Sequence, residues 1–126
     1  MKQIKYQHFF FCLVLLVATC VSFSPVLDNG FTNWDDPKYI LDNHIIKELS
    51  WERTKAIFLD QERKSGLYAP LTYLTWAIEH HNVRLEPYLY HFDNLILHLL
   101  NSVLVYVFVF LLMGRIDVSI LTSALF

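Results

Sequence analysis

The stretch LILHLLNSVLVYVFVFLLM (residues 95–113) decides the fold class. It carries no formal charge and ends at Gly114 and Arg115. About 20 apolar residues in a helix cross the hydrocarbon core of a bilayer, so this run is long enough to span. A second such run, HFFFCLVLLVATCVSFSPVL (residues 8–27), lies near the start of the chain behind Lys2 and Lys5. A basic leader before an apolar run is also the pattern of a secretory signal peptide, so a span and a cleaved signal are both open there. A third apolar run, VSILTSALF (residues 118–126), is too short to cross and reads as the start of another span.

Composition agrees. Of 126 residues, 55% are hydrophobic and 17% charged, against roughly a quarter charged in ordinary soluble domains. The net charge of −2 gives no basic field for nucleic acid. Cys12 and Cys20 both lie in the first run. On a helix they are separated by about 12 Å of rise, beyond the ~7 Å reach of a disulfide, so they read as small apolar residues in lipid.

The expected fold is therefore an α-helical integral membrane protein. It has two transmembrane helices plus the start of a third, with a helical extracytoplasmic loop of roughly 60 residues between the first two. The divisions are a leader (1–7), the first span (8–27), the loop (28–87), the second span with its outer extension (88–113), a turn (114–117) and the start of a third span (118–126). Lys2, Lys5 and Arg115 put the amino terminus and the 114–117 turn in the cytoplasm, and the loop outside or in a lumen. The membrane is a bacterial inner membrane or that of the endoplasmic reticulum. The chain is expected to be the front part of a longer membrane protein or a truncated reading frame.

Within the loop, residues 43–49 are expected to form a short helical turn. Ser50 is placed to cap a helix over WERTKAIFL (residues 51–59), with Glu52 in its first turn and Ile57 and Phe58 on apolar neighbours. DQERKSG (60–66) is a polar break. Pro70 suits the first position of a helix through YAPLTYLTWAIEHHN (68–82). Leu71, Leu74 and Ile78 form an apolar stripe there, with Tyr73 and Trp76 beside it. Such a helix either lies on the bilayer surface or packs inside an outer domain.

Two features point to chemistry. The first is NWDDPKYILDN (33–43), with adjacent carboxylates at Asp35 and Asp36. Proline pushes the residue before it towards extended geometry, which would send the two acids to opposite faces. Asp36 before Pro37 also reads as a helix cap with proline at the first helical position. Asp35 is left as a solvated loop acid or a catalytic one. The second is a polar face entering the second span. His91, Asn94, His98 and Asn101 fall within an arc of about 80°, with Ser102 beside them. Polar residues at such positions either bond between helices or line a cavity. The histidines have no His-x-x-x-His spacing and no cysteine beside them, so no metal site is expected.

NWDDPKYILDN, LSWE, YAPLTYLTWAIE and YHFDNLILHLLNSVLVY follow one another in that order after the first span. Together they resemble the amino-terminal region of multi-span O-mannosyltransferase-like membrane proteins that carry tetratricopeptide repeats. These proteins have the GT-C type of glycosyltransferase fold. The resemblance covers roughly residues 28–106. The chain departs from the pattern at His44, where proline is common, and at Asp93, where a small hydroxyl residue is usual. It also contains no tetratricopeptide repeat.

The resemblance implies transfer of a mannose-like sugar from a polyprenyl or dolichyl phosphate to a protein Ser or Thr hydroxyl. The anomeric centre is inverted and lipid phosphate leaves. By position, Asp35 is the general base and Asp36 a supporting residue or cap. Trp34, Lys38, His91 and Asn94 are the expected substrate contacts. No cofactor is implied beyond the lipid-linked donor, and a divalent metal is left open. The partners are membrane lipid, the acceptor protein and the rest of a larger chain. These residues alone are expected to be inactive. The alternative is a non-catalytic anchor that presents a tetratricopeptide-repeat domain to partners.

Overall fold

A computed structural model describes residues 2–59 and 68–126, and the polar break expected at 60–66 lies outside them. The described residues are helical, with no strand among them. The helices are α1 (Lys2–Phe23), α2 (Trp51–Leu59), α3 (Pro70–Val83), α4 (Pro87–Met113) and α5 (Ile116–Ala124). Two compact units are present. One comprises the chain up to Leu27 together with His91–Phe126, and the other is Asp28–Tyr90.

Among the described residues two helices are long and apolar enough to cross a membrane, Tyr6–Asp28 and Pro87–Met113, and most of each lies in the first unit. Only 6% and 17% of their most apolar windows are buried. A core helix of a water-soluble domain would be mostly covered. Pro25 stops α1, because it has no N–H to donate and its ring crowds the preceding turn. The chain continues as a 3₁₀ turn over Ser24–Asp28. Helix α4 starts at Pro87, where a missing N–H costs nothing.

Gly114 ends α4 with φ +64, a left-handed backbone that glycine adopts without steric cost. Its N–H donates to the Phe110 carbonyl at 2.8 Å and closes the last turn. Arg115 is extended and leads into α5, and its guanidinium grips the Asp117 carboxylate through two bonds, 2.5 and 3.2 Å long. Both side chains are exposed, so the pair adds little stability.

Helix α1 packs on α5. Ser119 and Ser123 on α5 and Ser102 on α4 are buried; the Ser102 and Ser123 hydroxyls donate to carbonyls of their own helices, and that of Ser119 to the Arg115 carbonyl just before α5. Small side chains with satisfied hydroxyls let helices approach closely. His8 Nδ1 and the Tyr106 hydroxyl are hydrogen-bonded at 2.6 Å between α1 and α4, with the His8 ring edge-on to Phe110.

The second unit has a core of Ile40, Ile46, Ile57, Tyr73, Ala77 and Tyr90, flanked by Phe31, Tyr39, Ile45, Trp76 and Val83. Helix α2 packs on α3. Ser50 caps α2 as expected: its hydroxyl accepts from the Arg53 N–H at 3.2 Å. Ile57 is buried and Phe58 is 42% exposed.

The helical turn expected over 43–49 shrinks to a single hydrogen-bonded turn. Buried Asn43 donates to the Tyr39 carbonyl and accepts from the Ile45 N–H, so its amide occupies the backbone groups a helix would use. One turn remains, His44 to Lys47. Helix α3 does start at Pro70. It buries Tyr73, Ala77, Glu79 and His80, and leaves Leu71 (68%) and Ile78 (43%) exposed.

Candidate functional site

The acid pair opens a short π-helical turn, Pro37–Leu41. The Tyr39 N–H donates to the Asp35 carbonyl at 3.0 Å, and the Asp42 N–H reaches the Pro37 carbonyl at 2.8 Å. Asp36 has φ −60 and ψ −38, so it is helical and not extended. This corrects the expectation drawn from Pro37. The steric bias against helical geometry before proline is real, but here Asp36 gains two bonds by overriding it. Its Oδ2 accepts from the Thr32 N–H at 2.6 Å and from the Thr32 hydroxyl at 3.1 Å.

Asp36 therefore stands at the cap position without making a side-chain cap bond. Its carboxylate faces backwards and closes the preceding loop over Thr32. A threonine four residues before the acid is the signal of this closure in the sequence.

Asp35 is exposed, and its carboxylate has no hydrogen-bond or ion-pair partner among the described residues. Trp34 beside it is 86% exposed. Lys38 is engaged locally: its ammonium lies 4.8 Å from the Tyr39 ring centre and 3.3 Å from the Tyr39 hydroxyl. Trp34, Asp35, Asp36 and Lys38 thus share one short segment of the second unit. It presents a free carboxylate, an open indole and a cation to solvent.

His91 and Asn94 belong to the first unit. His91 is half-buried, and its Nε2 is buried with no hydrogen-bond partner among the described residues. Asn94 and Asn101 are exposed. His98 is taken up by aromatic packing, edge-on to Phe23 at 4.6 Å and stacked on Phe126 at 5.7 Å. The polar face read from the sequence thus divides along α4, with one histidine packed and one presenting an unsatisfied nitrogen.

Among the described residues no group of three or more His, Cys, Asp or Glu side chains could hold a metal ion. His80 is a core residue that its place in the sequence does not mark. It is 6% exposed, and burial and the nearby Arg84 and Lys47 charges hold its pKa below the ordinary imidazole value.

An exposed, unpartnered carboxylate can take a proton from a hydroxyl that docks beside it. An indole next to it can cover the face of a sugar ring. No known protein family, curated protein or solved structure matches this chain.

Proposed function

We propose that this chain supplies the first spans and first outer loop of a membrane glycosyltransferase. The enzyme moves a mannose-like sugar from a polyprenyl or dolichyl phosphate to a protein Ser or Thr hydroxyl. Asp35 removes the hydroxyl proton as the oxygen attacks the anomeric carbon, and the bond to the lipid phosphate breaks with inversion. Positioned proton transfer of this kind contributes about 10²–10⁴-fold.

The reading rests on the resemblance of the loop motifs, and one observation carries the choice of base. Of two adjacent acids, Asp36 is held by Thr32, while Asp35 is exposed with nothing bound to it among the described residues. The two largely unburied apolar helices support a bilayer setting, where a lipid-carried donor would be found. Trp34 is suited to stack on the sugar. Lys38 is suited to counter phosphate charge.

The experiment uses membranes containing the full-length protein, given radiolabelled lipid-phosphate mannose and a Ser/Thr-rich acceptor peptide. Label appearing on the peptide, and lost under alkaline β-elimination, is the expected result. No transfer by correctly inserted protein would favour the repeat-presenting anchor instead.

A further inference from the structure

Helix α3 presents a continuous face that is largely uncovered among the described residues. At 100° per residue, Leu71, Leu74, Thr75, Ile78, His81 and Asn82 fall within an arc of about 120°. Five of the six are exposed and Leu74 is half-buried. None carries a formal charge. The only formally charged residue on α3, Glu79, is instead 8% exposed and lies off this face. A solvated helix normally reverses that arrangement, with charges outward and apolar residues inward.

The polar residues on the face give a second observation. The Thr75 hydroxyl donates to the Thr72 carbonyl and the Asn82 amide donates to the Ile78 carbonyl, each at 2.9 Å. Side-chain donors returned to their own helix are what a low-dielectric surrounding demands, because it offers no water to take them.

We infer that this face of α3 lies in the headgroup–acyl boundary of the bilayer, with Leu71 and Ile78 turned into lipid. The inference rests on the membrane reading of the two long apolar helices. Lipid is the occupant because only three residues, Arg84 to Glu86, separate α3 from the apolar helix α4. That connection is about 14 Å at full stretch. Exposed Tyr68 and Tyr88 flank the segment, as aromatic side chains do at membrane interfaces. Such helices sit about 5–10 Å into the boundary. The surface would place α3 where a lipid-carried substrate would be met.

The test uses the full chain in liposomes, with Cys12 and Cys20 replaced by serine. Single cysteines at Ile78→Cys, Leu71→Cys, Thr72→Cys and Leu104→Cys are labelled with an environment-sensitive fluorophore. At Ile78 and Leu71, lipids brominated high on the acyl chain should quench more than lipids brominated deep, and aqueous iodide should quench little. Thr72, about 100° round the helix, should be open to iodide. Leu104, an exposed apolar position on α4, should be quenched best by deep bromines. Iodide quenching at Ile78 and Leu71 equal to that at Thr72 overturns the inference while leaving the spans intact. Resistance to both quenchers there means a protein partner covers the face, which also overturns it. Failure of lipid quenching at Leu104 removes the membrane reading itself, and the inference with it.

Discussion

Replacing Asp36 should loosen the loop at Thr32, and replacing Asp35 should not. The Asp36 carboxylate accepts the Thr32 amide at 2.6 Å and its hydroxyl at 3.1 Å. Hydrogen bonds to a charged acceptor contribute about 1.5–3 kcal/mol each. Thr32 is exposed and Asp36 half-buried, so the lower end applies, and the shorter amide bond alone is worth about 1.5 kcal/mol. Each 1.4 kcal/mol is about tenfold in an opening equilibrium. Asp36→Ala should therefore speed hydrogen exchange at the Thr32 amide by about tenfold. Asp36→Asn, which keeps a neutral acceptor, should recover roughly half of that energy. Asp35→Ala removes no partner among the described residues, so its effect should stay within about 0.5 kcal/mol, roughly twofold. The assay is residue-resolved hydrogen exchange on the chain in lipid nanodiscs. Unchanged exchange at Thr32 in Asp36→Ala would refute the division of labour between the acids. So would an equal acceleration in Asp35→Ala.

Three further outcomes follow from the packing. Ile46 is 0% exposed in the core of the outer unit, so Ile46→Ala should cost about 2–5 kcal/mol. Urea unfolding followed by tryptophan emission would read it, since Trp34, Trp51 and Trp76 all lie in that unit. His80 is buried and holds its proton less tightly than an ordinary imidazole, by burial first and then by Arg84 and Lys47. Glu79 is its neighbour in the chain, and the Glu79 charge also acts on Tyr90. The unfolded chain binds the extra proton first, so the stability His80 contributes is full above the ordinary imidazole pKa and is lost as pH falls below it. The slope there is at most about 1.4 kcal/mol per pH unit, and a His80→Gln variant should flatten the same urea titration. Tyr106→Phe removes the bond to His8 and should weaken the α1–α4 pair by only about 0.6 kcal/mol, read by unfolding in mixed micelles. A much larger loss would mean that His8 serves a wider network.

The long apolar runs were legible because length and lack of charge are properties of the sequence alone. Ser50 and Pro70 were legible for a similar reason, since a cap acts within four residues of itself. The buried side of α3 was not. Its aliphatic stripe of Leu71, Leu74 and Ile78 and its aromatic stripe of Tyr73 and Trp76 both have helical period, and periodicity alone does not say which meets the core. The structure buries Tyr73 and leaves Leu71 and Ile78 outside, a choice made by the shape of the core around Ile46 and Ile57. The geometry of Asp36 escaped because a general bias of pre-proline residues was outweighed by two specific bonds to Thr32. His8 and Tyr106 meet across almost the whole chain, and no local pattern marks that contact.

The most direct measurement is the transfer rate of the full-length protein carrying Asp35→Asn, set beside Asp36→Asn. Loss of the base should lower kcat by about 10²–10⁴-fold with little change in KM. Asp36→Asn should keep most of the activity, because an asparagine oxygen still accepts from Thr32. Undiminished transfer by Asp35→Asn, or loss confined to Asp36→Asn, would contradict the assignment of Asp35 as the base.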